Sequence, residues 1–538
     1  MPEVRSGRPR GAPHPEGTKL LRVPALPGVR LLDLEPPGRG PLPELRVRRD
    51  GGEADQDQGD LSQVPQVRTR NHGRGGGAGG VGGELRAVVV GGGLAGSEAA
   101  WALAERGIAV TLHEMRPVNM TAAHQTDRLA ELVCSNSFKS VELTNAHGLL
   151  KAEMRRLGSV VLDAADQARV PGGAALAVDR VAFSQAVHDR VTSHPAIAVV
   201  RGEVTGLESP GIVATGPLTS EALAGAIARR LDASALAFFD AIAPIVSADS
   251  LDTACLFRAS RYGKGSGDDY WNAPLTEAQY DEFVTALRAG EQYQPHHEFD
   301  RTPYFEGCLP VEEMAARGRD VLRFGPMKPV GLPTEAFAVV QLRQEDRAGQ
   351  MWNLVGFQTR LKVPEQQRVF RMIPGLERAE FLRFGSIHRN AYINSPRALT
   401  AHLSAKDDPT LLFAGQLTGV EGYTESAATG ILAGINLARL LRGDAPVVPP
   451  PTTMLGALYR YVHTADAEHF QPMNANFGLL EPLERPVKDK QRKKELLVER
   501  ALRDMDTFAT RVSAERGTRN AEPTGETSAL RSDFRVPR

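Results

Sequence analysis

The chain has 538 residues, of which 41% are hydrophobic, and its formal net charge is −1. This length allows two or three domains with real cores. The near-zero charge excludes nucleic-acid binding through overall charge, so any such contact must be local. The sequence has no apolar run long enough to span a membrane and no signal-peptide core. Three scattered cysteines do not form a disulfide framework, so a cytoplasmic location is expected.

Residues 1–84 differ in composition from the rest of the chain. They are rich in Pro, Gly and Arg and end in a glycine tract over 73–83. Such a composition cannot bury enough apolar surface to offset the loss of chain entropy. We therefore predict a disordered extension over 1–84 and a second disordered tail over 511–538.

The first folded segment carries a dinucleotide-binding fingerprint. A strand is predicted over Ala87–Val90 and a helix over Ser97–Arg106. The turn between them has the pattern Gly-x-Gly-x-x-Gly and consists of Gly91, Gly92, Gly93, Leu94, Ala95 and Gly96. In this βαβ context the first glycine permits a tight turn, the second admits a pyrophosphate, and the third allows close helix–strand packing. The helix N-terminus then faces the anion.

A carboxylate follows at the expected distance. The next predicted strand, Ile108–Leu112, ends near Glu114. An acidic residue about 20 positions past the last glycine is the usual acceptor for the ribose hydroxyls. Glu114 is therefore a predicted cofactor ligand, whereas a glycine-rich turn that binds nothing is the alternative.

The alternation of strands and helices predicts an α/β fold with an interruption. We expect a Rossmann-like dinucleotide-binding domain formed by 86–217 and 366–510 and separated by an inserted α+β domain over 218–365. Near the end of the second part, a buried strand predicted over Leu411–Gln416 leads into a glycine-rich turn, and a helix is predicted over Ser426–Leu441. A last helix is predicted over Glu495–Phe508.

The second glycine-rich turn is another candidate cofactor contact. Its glycines permit close backbone approach, and a helix N-terminus follows it. The candidate residues are Gly415, Gln416, Gly419 and Glu421. The alternative is ordinary helix capping by Thr424 or Ser426.

Long strings of residues carry a family resemblance. They include GGGLAGSEAA at 91–100, ELVCSNS at 131–137, FEGCLP at 305–310, FGPMKPVGL at 324–332 and AGQLTGVEGYTESAA at 414–428. With these strings the chain resembles the folate- and FAD-dependent tRNA (uracil-5-)-methyltransferases from about 86 to 508. The N-terminal extension lies outside the resemblance.

The resemblance implies a reaction and its cofactors. The expected reaction is formation of 5-methyluridine at position 54 in the T-loop of tRNA. The carbon would come from 5,10-methylenetetrahydrofolate, and FAD would be reduced by NAD(P)H. The expected partner is tRNA, with no metal, no membrane and no obligate protein partner; a homodimer is left open. The alternatives are a flavoprotein that makes carboxymethylaminomethyl-uridine and an FAD-binding tRNA chaperone.

Two cysteines lie within these strings. Carbon 5 of uracil becomes nucleophilic only after a group adds to carbon 6, and a thiolate suits that addition. The resemblance implies that Cys308 is this nucleophile and that Cys134 lies close to the flavin. The alternative for Cys308 is a small buried hydrophobic residue. Cys255 has no matching motif and is predicted to be structural.

The sequence offers several candidates for the general base and for an RNA-binding surface. By residue type, the base candidates are Glu306, Glu345, Asp346 and His388. RNA binding needs a basic, partly aromatic surface. The stretch with Arg258, Arg261, Tyr262 and Lys264 is favoured over the basic run at 488–494, which is most simply a solvated helix face. Further candidates are Lys328, Arg343, His388 and Arg389.

Overall fold

The computed structural model describes residues 85–121, 123–231, 236–293 and 309–514, with the backbone alone for 236–241 and 387–389. The predictions for residues 1–84, for the chain beyond 514 and for Cys308 therefore lie outside the described residues. Within the described ranges, no helix is long and apolar enough to cross a membrane.

The strands and α-helices alternate along most of the described chain. The strands are β1 Arg86–Val90, β2 Ala109–Glu114, β3 Ser137–Ser140, β4 Arg169–Val170, β5 Ala175–Val178, β6 Ile197–Arg201, β7 Gly211–Val213, β8 Leu236–Ile242, β9 Ile245–Ser247, β10 Phe257–Arg258, β11 Tyr270–Leu275, β12 Ala338–Gln344, β13 Met351–Leu354, β14 Phe381–Arg383, β15 Ser386–Tyr392 and β16 Leu411–Phe413. The α-helices are α1 Leu94–Ala104, α2 Ala146–Arg156, α3 Val160–Gln167, α4 Arg180–Thr192, α5 Glu221–Leu231, α6 Glu277–Ala289, α7 Val311–Ala316, α8 Val321–Phe324, α9 Val363–Phe370, α10 Ser395–Ala398, α11 Tyr423–Leu441, α12 Met454–Thr464 and α13 Lys490–Ser513.

A parallel sheet forms the base of the first domain. Its strand order is β16–β7–β1–β2–β6, and each neighbouring pair is parallel. Strands covered on both faces read as continuous apolar runs, which is the pattern of β1, β7 and β16. Helices α1, α3, α4 and α11 contribute to the same apolar core as these strands. The predicted Rossmann-like α/β fold is confirmed.

A second sheet is antiparallel and has its own core. Its order is β10–β11–β12–β13–β9–β14, and helices α6, α7 and α9 pack their apolar faces against it through residues such as Phe283, Val311 and Phe370. Strands β8 and β15 pair as a two-stranded antiparallel ribbon. In the sequence, β8 comes directly before this unit and β15 directly after it. The ribbon therefore marks where the chain leaves the first domain and returns to it.

The junctions fall later than the expected positions 218 and 365. Helix α5 adds Leu223 and Ile227 to the core of the first domain, so the chain stays in that domain until at least Leu231. At the other end, β14 pairs with β9 in the second sheet. The inserted unit therefore extends to Arg383, because an edge strand that completes a sheet belongs to the domain of that sheet.

The closing helix is longer than its sequence pattern suggested. The side chain of Asp489 caps α13 by accepting a hydrogen bond from the backbone N–H of Arg492 at 2.6 Å. The helix continues to Ser513, three residues into the expected tail, because Phe508, Ala509 and Val512 still pack into the first core.

Helices α1 and α11 approach each other unusually closely. A Cβ atom built on Gly430 would lie 2.1 Å from the carbonyl oxygen of Ala95, and one built on Gly434 would lie 2.6 Å from that of Ala99. Only hydrogen fits at these two positions. The contact therefore sets the position of the N-terminal end of α11 relative to the glycine turn before α1.

We expect Gly430→Ala to lower the thermal stability of the protein. Alanine gains up to about 1 kcal/mol over glycine in a helix, but overpacking a close contact costs about 1–3 kcal/mol. The clash with a backbone carbonyl makes the second effect the larger one. Thermal unfolding followed by circular dichroism measures the change.

The matched control is Gly206→Ala. A Cβ atom at Gly206 would meet no atom within 4 Å, so the melting temperature should stay within error of the wild type. Equal melting temperatures for both variants would contradict a rigid α1–α11 contact.

Candidate functional site

The glycine turn after β1 has the geometry of an anion cradle. Gly91 has φ +101°, which favours glycine, and a Cβ atom on Gly96 would lie 1.7 Å from the Gly91 oxygen. Gly93 differs, because a Cβ atom there would meet nothing within 4 Å and its φ is −76°. Neither its conformation nor its packing requires glycine. Open space beside its backbone is what the approach of a phosphate group would need.

Glu114 lies at the end of β2 and reaches back to this turn. Its carboxylate accepts hydrogen bonds from the Gly92 N–H at 3.0 Å and from the Arg116 guanidinium at 2.8 and 3.1 Å. Burial alone would raise the pKa of Glu114, but the bonds and charge of Arg116 outweigh it and hold that pKa below its usual value. Glu114 is therefore ionised, and a ligand hydroxyl would have to share its oxygens with Arg116.

Arg116 was missed by the sequence reasoning. Its side chain is almost completely buried and also donates to Glu131 at 3.2 Å, which links the end of β2 to the loop that contains Cys134. The signal was present as a basic residue two positions after the acid. That spacing alone does not distinguish a buried partner from a solvated arginine.

A cleft opens at the carboxyl ends of the parallel strands. This is where open α/β sheets bind ligands. Among the predicted cofactor residues, the cleft brings together Gly91, Gly92, Gly93, Leu94, Ala95, Glu114, Gly415 and Gln416. Helices α1 and α11 both begin at this cleft. The N-cap residue of each helix is a glycine, and within the described residues no side-chain cap is bonded to either helix start. Their N–H groups are thus directed towards the cleft, where they would favour an anionic group.

Contacts behind the cleft hold the residues of the second turn in place. Gly415 has φ +77° and its N–H donates to the Thr429 hydroxyl at 2.7 Å. A Cβ atom on Gly419 would lie 2.4 Å from the Phe470 ring. Glu421 accepts a hydrogen bond from the Gln416 side chain and so orients that amide at the edge of the cleft. Gly96, Gly419 and Glu421 are not among the residues that line the cleft.

The loop around Cys134 is held by hydrogen bonds on successive peptide groups. Arg180 donates to the Leu132 oxygen at 2.6 Å and to the Cys134 oxygen at 2.7 Å. Arg383 donates to the intervening Val133 oxygen at 2.8 Å. The Cys134 N–H donates to the Tyr423 hydroxyl at 2.8 Å. Because Val133 and Tyr423 line the cleft, this loop forms one of its walls.

The two arginines come from different domains. Arg180 begins α4 of the first domain and forms an ion pair with Glu345, whose side chain is fully buried just after β12. Burial would lower the pKa of Arg180, but the charge of Glu345 raises it above the usual value. Burial and the charge of Arg180 lower the pKa of Arg383. The Cys134 loop therefore lies against two fixed guanidinium groups, one from each domain.

A third arginine joins the inserted sheet to the same segment. Arg343 on β12 donates to the Asn136 side-chain oxygen at 2.8 Å, and Asn136 in turn donates to the Gln344 and Val178 oxygens, each at 2.9 Å. All of these groups are buried. The segment that carries Cys134 is thus fixed at both of its ends.

The base candidates and Cys255 are placed only in part. Glu345 is committed to Arg180, and Asp346 accepts a backbone hydrogen bond from Met351 at 3.0 Å. Glu306 and Cys308, and the side chain of His388, lie outside the described residues. Cys255 is exposed, with its sulfur 3.6 Å from an oxygen of Asp252.

Fold and site together define a dinucleotide-binding α/β protein with an inserted second domain. The family model described as "Glucose inhibited division protein A" matches residues 86–445. The methylenetetrahydrofolate–tRNA-(uracil-5-)-methyltransferase TrmFO of Geobacter sulfurreducens is 57% identical over 432 residues, which are 79% of this chain and 99% of that protein. The protein of the same name from Moorella thermoacetica is 54% identical over 424 residues, 78% of this chain and 97% of that one. The chain therefore belongs to the TrmFO family.

Solved structures agree at the level of the fold. GidA of Aquifex aeolicus superimposes with a TM-score of 0.57 and 17% identity, covering 80% of this chain and 76% of that chain. A second crystal form of that protein gives a TM-score of 0.58 and 18% identity over the same shares. Identities this low support the shared fold alone.

We expect Arg180→Leu to destabilise the protein by about 3–5 kcal/mol, because it leaves the Glu345 carboxylate buried without its ion partner. The double variant Arg180→Leu/Glu345→Leu should recover much of this loss, since removing both charges removes the unpaired one. Denaturant unfolding of the two single variants and the double variant measures the coupling.

The double variant also separates stability from loop position. It lacks the donors to the Leu132 and Cys134 oxygens, so the amide of Cys134 should exchange its hydrogen faster than in the wild type. Wild-type protection at Cys134 in the double variant would show that Arg180 does not hold the loop.

Proposed function

We propose that this chain catalyses the folate-dependent formation of 5-methyluridine in tRNA, at position 54 of the T-loop, with FAD as its cofactor and NAD(P)H as the source of reducing equivalents. The observation that carries the proposal is the 57% identity to the Geobacter sulfurreducens methyltransferase over 99% of its length. The cleft beside the Cys134 loop is the structural feature that agrees with it.

The residues of the cleft fit a dinucleotide cofactor. The glycine turn and the start of α1 would take the pyrophosphate, with the open backbone at Gly93 as the point of closest approach. The ionised Glu114 would take the ribose hydroxyls together with Arg116. When bound, FAD would supply the reducing equivalent that completes the methyl group.

The protein's own groups account for the activation of uracil. In the proposal the thiolate of Cys308 adds to carbon 6 of the uracil, and carbon 5 then becomes the nucleophile. After carbon 5 has accepted the one-carbon unit, a base removes the carbon-5 proton and the thiolate leaves. The Cys134 loop would form the wall of the site, positioned by Arg180 and Arg383. Because Glu345 forms an ion pair with Arg180, it is a less suitable candidate for the base that removes the carbon-5 proton.

We expect Gly93→Val to purify with little or no flavin. A valine side chain would occupy the open space beside the backbone at Gly93, where the proposal places the pyrophosphate. The ratio of flavin absorbance to protein absorbance measures occupancy, and circular dichroism confirms folding. Gly206→Val, at a position equally open but remote in sequence from the turn, is the control and should keep its flavin. A stoichiometric flavin content in Gly93→Val would contradict the assigned site.

We expect Cys308→Ala to lose methylation while keeping its yellow colour. Wild-type protein, unmodified tRNA, labelled methylenetetrahydrofolate and NADH should give label in 5-methyluridine after nucleoside analysis. Cys255→Ala should behave as the wild type, because Cys255 lies on the surface. Normal turnover by Cys308→Ala would refute the nucleophile. Methyl transfer from S-adenosylmethionine instead of the folate would refute the proposed function.

A further inference from the structure

A short loop between β10 and β11 presents one exposed aromatic ring. Tyr262 is 68% exposed, and its backbone adopts φ +56° and ψ +27°. Non-glycine residues rarely adopt this left-handed conformation, and they keep it only where the surroundings enforce it.

The polar side chains around Tyr262 anchor the loop to four other segments. Arg261 donates to the Gln341 side chain at 2.7 Å and to the Val330 oxygen at 2.9 Å. Lys264 forms an ion pair with Glu142 of the first domain at 2.6 Å. Asp269 accepts a hydrogen bond from the Gly173 N–H at 2.6 Å. The loop is thus fixed between the two domains.

The ring of Tyr262 packs against the backbone at Gly331. The Tyr262 N–H donates to the Gly331 oxygen at 2.7 Å. A Cβ atom on Gly331 would lie 2.8 Å from the Tyr262 ring, so only glycine leaves room for the ring at that point. One side of the ring is therefore supported while most of its surface stays open to solvent.

The loop is connected to the cleft through one strand. Gln341, which holds Arg261, and Arg343, which holds Asn136, are alternate residues of β12 and lie on the same face of the sheet. Alternate residues of a strand are about 7 Å apart. The Tyr262 loop and the segment after Cys134 are therefore neighbours along the same face, within the reach of a few nucleotides.

From this arrangement we propose that Tyr262 is a stacking platform for an unpaired base of the tRNA substrate, a role that rests on the proposed function. Single-stranded loops of RNA are recognised by stacking on aromatic side chains. The cations beside Tyr262 are already bonded to protein acceptors, so the loop offers a π-face rather than a phosphate site. Because the ring is held in place before binding, stacking costs little further ordering.

The test compares tRNA affinity among three substitutions at this position. Asn tolerates the left-handed conformation better than other non-glycine residues, so Tyr262→Asn deletes the ring and keeps the loop. Stacking contributes about 1–3 kcal/mol per base, so the Kd for unmodified tRNA should rise about 5- to 150-fold. Tyr262→Phe should bind as the wild type. Tyr262→Trp should bind at least as well and show fluorescence quenching when tRNA is added.

The outcomes separate the two proposals. Failure of the wild type to bind tRNA would refute the proposed function itself. If the wild type binds and Tyr262→Asn binds equally well, the stacking role is overturned. Loss of binding in Tyr262→Phe equal to that in Tyr262→Asn would also overturn it, because the hydroxyl and not the ring would be responsible. A change of oligomeric state in Tyr262→Asn, with unchanged tRNA affinity, would assign the ring to a contact between copies and likewise overturn it. Flavin content and melting temperature, unchanged in all three variants, control for folding.

Discussion

The buried ion pair between Arg180 and Glu345 is the interaction on which the arrangement of the site depends. Removing two charges from water costs several kcal/mol for each ion, and the cost is offset only when geometry and further hydrogen bonds are good. Here the remaining guanidinium donors bind the carbonyl oxygens on either side of Val133. The pair therefore does more than join α4 to the end of β12. It fixes a cysteine-bearing loop at the junction of two domains, and Arg383 reinforces that loop from the inserted domain.

The cofactor side of the cleft depends on a different feature, glycines at the points where two backbone segments touch. Gly430 and Gly434 let α11 touch the backbone of α1, and Gly96 lets α1 touch the turn at Gly91. These contacts bring two helix N-termini to one cleft, where their partial positive charges add. Glu114 introduces a negative charge beside them, and Arg116 balances it. The cleft is consequently polarised for a ligand with both anionic and hydroxyl groups, rather than for an anion alone.

Local pattern was enough to predict the first βαβ unit, since the glycine turn, the apolar strand and the position of Glu114 all lie within one short segment. The same reasoning could not find the ion pair of Arg180 with Glu345 or the bond from Arg383 to Val133, because the partners lie 165 and 250 residues apart. It also placed the domain boundary too early. The apolar face of α5 is compatible with either domain, and only the packing of Leu223 and Ile227 assigns it to the first.

The basic residues of the stretch expected to meet RNA have partners within the protein itself. Arg258 lies 5.0 and 5.1 Å from the ring centres of Trp271 and Trp352, and burial lowers its pKa. Arg261 and Lys264 are bonded to acceptors of the protein itself. Each of these cations stabilises the inserted domain or its junction with the first domain. The number of positive charges in this stretch therefore overestimates the number of cations that a phosphate group would contact. In a molecule with a net charge of −1, a rigid, exposed ring is the feature of this loop that stays available to a nucleic acid, because stacking does not depend on an unpaired charge.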